Sequence, residues 1–103
     1  MSYEFRIVIG LDTKGRLPES YCEQCVRQLA KSIFPHGHTI IEAEGVWKTG
    51  SERTLIVQWF ATAEQKHTGE AHNKVSRFAG TIKNKLLQDA VLVCQYTPEV
   101  WTV

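Results

Sequence analysis

The succession of hydrophobic periodicities along this chain predicts an α+β sandwich in the order β-α-β-β-α-β, a four-stranded antiparallel sheet with two helices on one face. Three observations carry that expectation. Residues 3–10 alternate, with Tyr3, Phe5, Ile7 and Ile9 on one side and Glu4, Arg6 and Val8 on the other, the period-2 mark of a strand. Two later segments repeat at helical spacing instead. Between them, residues 38–60 are rich in β-branched and aromatic side chains and broken by Thr49-Gly50, which reads as a hairpin.

Each element has a local reason. After the first strand, Asp12-Thr13-Lys14-Gly15 is turn chemistry, and Pro18-Glu19 suits a first helical turn, where a missing N–H costs nothing and a carboxylate meets the positive end of the dipole. The helix should run from about Pro18 to Ser32, with Cys22, Cys25, Val26, Leu29 and Ile33 on its buried face, and Phe34-Pro35 should end it. His38 to Lys48 reads as a strand kinked or bulged at Gly45, and Arg53 to Phe60 as its return. Thr62-Ala63-Glu64-Gln65 has the form of a capping box. The helix it opens carries Ala71, Val75, Phe78, Ala79, Ile82 and Leu86 on one face to about Gln88. Gly69 and Gly80 each weaken it by ~1 kcal/mol relative to alanine, so its first turns should be loose. Ala90 to Tyr96 is a last strand, and Glu99-Val100-Trp101-Thr102-Val103 an aromatic edge strand or arm. The whole is the split βαβ order of a ferredoxin-like sandwich, one domain over residues 1–103.

Size and composition narrow the functional classes. A chain of 103 residues removes roughly two-thirds of its unfolded surface from water, enough for a core without disulfide or metal. A net charge of +1 supplies no global field toward nucleic acid or an anionic membrane. Glu4 and Arg6 interrupt any signal-peptide core, and no apolar run approaches the ~20 residues of a membrane span, so a soluble cytoplasmic protein is expected. Cys22, Cys25 and Cys94 are odd in number and sit in apolar patterns, which argues against a disulfide framework. The hairpin is apolar on both sides: Leu55, Val57 and Trp59 against Ile56 and Phe60, with Ile41 against Ile40. Helices cover only one sheet face, so a homodimer through the open face is expected.

Several motifs fail on chemical grounds. Gly10 to Arg16 has G-x-x-x-x-G spacing, but Arg16 and Leu17 stand where a phosphate loop needs lysine and Ser/Thr. Cys22-x-x-Cys25 with His36 and His38 offers four zinc-ligand types, yet the cysteines lie inside a helix, facing the core, and the histidines alternate across a strand start. His67 and His72 diverge by about 140° on a helix. Lys48-Thr49-Gly50 lacks the other motifs of penicillin-recognising enzymes. Lys66, Lys74, Arg77, Lys83 and Lys85 make the second helix basic, but Lys66, Glu70 and Lys74 form an ion-pair ladder on its outer face, and no strand carries an RRM-type aromatic element. No metal, cofactor or nucleic-acid partner is therefore expected.

What remains is the segment 34–53. His36 and His38 at a helix-to-strand junction, with Trp47 and Arg53 around the hairpin, supply acid, base, cation and aromatic groups suited to a small ligand pocket. Glu42, Glu44, Glu52 and Arg53 can equally be cross-strand charge pairs, and Trp47 a packing residue. Phe34-Pro35-His36-Gly37-His38-Thr39-Ile40 followed by Gly45-Val46-Trp47 resembles the F-P-x-G-x-T…G-x-W signature of a family of small, functionally uncharacterised bacterial and phage-associated proteins. The resemblance implies a compact α+β fold and no particular reaction. In that family's pattern an acidic residue often stands at the position of His36 and an apolar one at that of His38. The expectation is thus a non-enzymatic oligomeric module that binds a small ligand or a protein through residues such as His36, His38, Trp47 and Arg53, with no catalytic residue assigned. The alternative is a small cofactor-independent enzyme of the dimeric α+β barrel type, with His36 or His38 as general acid/base and Arg53 holding an anionic substrate.

Overall fold

The alternation in the first ten residues becomes β1 (Ser2–Gly10), and the two helical repeats become α1 (Glu19–Ile33) and a pair, α2 (Ala63–Thr68) and α3 (Glu70–Lys85). Between and after them lie β2 (Thr39–Trp47), β3 (Gly50–Thr62) and β4 (Leu92–Tyr96). This computed structural model describes residues 2–48, 50–88 and 90–97; the side chain of Trp47 and the tail expected at Glu99–Val103 lie outside the described residues. The sheet is antiparallel throughout, in the order β2-β3-β1-β4, which is the ferredoxin-like arrangement.

Two local expectations need correction. The pairing of β2 with β3 runs one residue for one residue from Thr39↔Gln58 to Trp47↔Gly50, so Gly45, opposite Glu52, carries no bulge. The second helix is also divided. Gly69 adopts φ +81°, a left-handed conformation that ends α2 through a Gly69 N–H bond to the Lys66 carbonyl and restarts the chain as α3.

The helix-side face of the sheet holds the core. Phe5, Ile7 and Ile9 of β1, with Leu55, Val57, Trp59 and Ala61 of β3, meet Cys22, Val26, Ala30 and Ile33 of α1 and Ala71, Val75, Phe78 and Ile82 of α3. Phe34 is buried at their junction, its ring centroid 4.9 Å from that of Trp59 and 5.5 Å from that of Phe78. On the opposite face, Ile41, Ile56, Val8 and Leu92 are successive register partners and cross the whole sheet as one apolar row. Leu92 is 60% exposed there. Among the described residues no helix is long and apolar enough to cross a membrane.

Candidate functional site

The sheet brings chemistry together at two separate ends. At one, the turn after β1 folds back on the start of β3. Thr13 is buried, and its hydroxyl closes the turn by accepting from the Leu17 N–H at 2.8 Å and donating to the Leu17 carbonyl at 2.9 Å. Lys14 N–H donates to the Asp12 carboxylate, and Lys14 and Gly15 take φ of +57° and +80°. The Asp12 N–H donates to Glu52 at 2.9 Å. Gly10 makes room for that contact, since a Cβ there would lie 2.8 Å from the Glu52 carboxyl carbon. A shallow cavity of about 410 Å³ results, lined in part by Asp12, Glu19, Glu52 and Arg53.

Arg53 is tied down by carboxylates from two elements. It donates to Glu19 at 2.9 Å, to Glu42 at 2.8 Å and to Glu23. Arg27 adds ion pairs at 3.6 Å to Glu23 and Glu42. The Arg53 hydrogen bond holds the Glu23 carboxyl below the usual carboxylate range, and Glu23 and Glu19 in turn push the Arg53 guanidinium up. Residues so paired act as a clasp between α1 and the hairpin. The pairing with Glu42 is the cross-strand one legible in the sequence. Glu19 and Glu23, one turn apart on α1, reach Arg53 only through the packing of that helix on the sheet.

At the other end, the chain leaving α1 passes Phe34 and enters β2 through Pro35, His36 and Gly37. His38 is half-buried with its Nδ1 2.9 Å from the Phe34 carbonyl oxygen. A carbonyl can only accept, so Nδ1 carries the proton, and in the neutral imidazole Nε2 is left as an acceptor or base. A cavity of about 510 Å³ opens here between His36, His38, Gln58, Trp59, Phe60 and Gln65. Its amides are held in register. Gln65 Oε1 accepts from the Thr62 N–H at 2.9 Å in the capping box, and Gln58 Nε2 donates to Glu4 Oε1 at 2.8 Å. Phe60 stands 54% exposed on the open sheet face beside the cavity.

The four residues singled out in the sequence therefore divide. His36 and His38 line one cavity. Arg53 lines the other, next to the hairpin that carries the Trp47 backbone, and β2 separates the two by roughly 17 Å. Gln58, Phe60 and Gln65 were not singled out, although the alternation of β3 placed Gln58 and Phe60 on one face and the capping box fixed Gln65. Cys22 and Cys25 lie in α1 as a buried and a half-buried thiol, burial pushing the Cys22 thiol up. Among the described residues no group of three His, Cys, Asp or Glu side chains is placed to hold a metal ion.

Comparison with known proteins gives a fold and no family. No family model matches the chain, and no curated protein matches it. Two solved structures of a phage SAM lyase are similar to it. The one in complex with S-methyl-5'-thioadenosine has a TM-score of 0.64 over 92% of this chain and 80% of that one, at 16% identity. The apo structure has a TM-score of 0.58 over 97% of this chain and 92% of that one, again at 16% identity. At this identity the likeness is one of fold: nearly the whole chain follows the path of a small α+β enzyme.

Proposed function

We propose that this chain is a small cofactor-independent enzyme that binds S-adenosylmethionine and releases S-methyl-5'-thioadenosine. The observation that carries the reading is the overlap of 92% of the chain, at a TM-score of 0.64, with a SAM lyase bound to that thioether nucleoside. The chemistry asks little of a protein. The sulfonium is already a leaving group: when its bond to the aminobutyryl carbon breaks, sulfur takes the electron pair and becomes a neutral thioether. A lyase does this without water: a carboxylate oxygen of the same aminobutyryl fragment gives its electron pair to that carbon as the C–S bond breaks, so the fragment leaves as a lactone and no atom is added. The protein's part is to hold the cation, orient it and keep water out.

The cavity at His36 and His38 suits the nucleoside end. Its volume of about 510 Å³ is within the range of small-molecule sites. Phe60 offers aromatic surface for a purine, and His38 Nε2 with the oriented Gln58 and Gln65 amides offers acceptors and donors for its edge. The test is direct. Purified protein incubated with S-adenosylmethionine should yield S-methyl-5'-thioadenosine by chromatography and mass spectrometry, and His38→Ala should slow that yield at least about tenfold. Unchanged S-adenosylmethionine at stoichiometric protein would overturn the reading.

A second reading rests on the apolar row Ile41-Ile56-Val8-Leu92, which nothing in the chain covers among the described residues. We propose that a second copy packs on it, making a homodimer that binds its ligand or a protein partner without catalysis. Light scattering should give a mass above the monomer, and a monomer at high concentration would remove this reading.

A further inference from the structure

Beside the His38 cavity, on the open face, the sheet register builds a second group of side chains. Glu4 stands between Phe60 on β3 and Tyr96 on β4, its register partners on either side. One residue pair further along, Arg6 stands between Gln58 and Cys94. Phe60 and Tyr96 are 54% and 47% exposed, whereas the Glu4 side chain is only 13% exposed. A carboxylate is thus sunk between two exposed aromatic rings.

Its hydrogen bonds leave it one-sided. Arg6 Nε at 3.0 Å and Gln58 Nε2 at 2.8 Å both donate to Glu4 Oε1, and Oε2 is used by neither. Burial pushes the Glu4 carboxyl up, but the bonds from Gln58 and Arg6 outweigh it and hold the group below the usual carboxylate range, so it is ionised at neutral pH. Arg6 directs Nε to this contact with its guanidinium over the Tyr96 ring, 5.4 Å from the centroid, and its side chain is 40% exposed, so its terminal nitrogens can present a fork to a carboxylate. Gln58 and Phe60 belong both to this group and to the cavity wall, and Glu4 lies one strand spacing, about 5 Å, from Phe60.

An aromatic-flanked carboxylate is the chemistry that recognises a soft, weakly hydrated organic cation. We infer that Glu4, Phe60 and Tyr96 form the sulfonium-binding row of this chain, with Arg6 holding the carboxylate of the same ligand. The inference rests on the S-adenosylmethionine reading and gives it an address: nucleoside in the cavity, charged amino-acid tail on the open face. The row requires a positive charge next to the ribose. It separates S-adenosylmethionine from its neutral thioether S-adenosylhomocysteine, which has the same tail.

Three ligands that are not turned over test it by calorimetry: sinefungin, whose protonated amine stands in for the sulfonium, S-adenosylhomocysteine, and S-methyl-5'-thioadenosine, which has no tail. Wild type should bind sinefungin most tightly. Glu4→Gln keeps an oxygen for the Arg6 and Gln58 bonds, and should weaken sinefungin by about tenfold while changing the two thioethers less than about twofold. Arg6→Gln should weaken sinefungin and S-adenosylhomocysteine together and leave S-methyl-5'-thioadenosine unchanged. If Glu4→Gln weakens all three ligands equally, or none, the inference falls and the functional reading stands. If wild type binds none of them, the functional reading falls as well. Tyr96→Leu, at an exposed position of the row outside the cavity wall, gives an independent check should Glu4→Gln fail to fold. It should weaken sinefungin more than S-adenosylhomocysteine, and an equal loss on both would overturn the row.

Discussion

Thr54 is buried at 4% exposure within β3, and among the described residues its hydroxyl has no hydrogen-bond partner. A buried hydroxyl left unpaired keeps its full desolvation cost, so the near-isosteric Thr54→Val should raise stability by about 1 kcal/mol, read as a higher urea midpoint at unchanged slope. Arg53 makes the opposite case. It faces three carboxylates, and its hydrogen bond lowers the Glu23 carboxyl. A carboxyl whose folded-state value is depressed stabilises fully above its unfolded value of about 4.3, and that contribution is lost as pH falls through the folded-state value. Arg53→Met should therefore melt lower than wild type at pH 7, and the gap should narrow as pH falls through the acid range, as thermal denaturation at stepped pH will measure. The sequence showed Arg53 as a member of charge pairs. Two of its partners stayed hidden because Glu19 and Glu23 lie some thirty residues away, and only the docking of α1 brings them within reach.

At the scale of elements, the capping box Thr62-Gln65 was legible as a local pattern because both of its hydrogen bonds close within four residues. The strand alternation and the amphipathic helices were legible for the same reason. Gly69 was visible as a weak point, but the full break was not. A glycine at mid-helix spacing weakens a helix by about 1 kcal/mol whether or not it breaks it, so the spacing does not show that φ flips to +81° and ends α2. Gly69→Ala should destabilise the protein by about 1 kcal/mol in chemical unfolding, because no left-handed residue is then available at no cost. Gly45 misled in the other direction. A glycine in a strand often marks a bulge, yet here the register passes it unbroken.

For the molecule as a whole, the open sheet face decides both proposals. One half carries the row Ile41-Ile56-Val8-Leu92, the other Phe60-Glu4-Tyr96 with Arg6 and Gln58. A charge placed in the apolar half should block association and spare the ligand row. Ile56→Lys should shift the sedimentation profile to a monomer while leaving sinefungin binding within about twofold of wild type. Loss of both together would mean that ligand binding depends on the partner copy.

The amino-acid sequence by itself determined the order of elements, the helix-side core and the two-sided hydrophobicity of the hairpin, because periodicity, capping and turn chemistry are properties of neighbours a few residues apart. It also assembled a tempting group in His36, His38, Trp47 and Arg53. Tertiary structure alone decided that this group is two, since Arg53 lies five residues along the extended β3 from Gln58 of the histidine cavity, roughly 17 Å away. It also decided that Glu4 meets Phe60 and Tyr96: strand pairing across a β-α-β-β-α-β order joins residue 4 to residues 60 and 96, a proximity that no local pattern encodes.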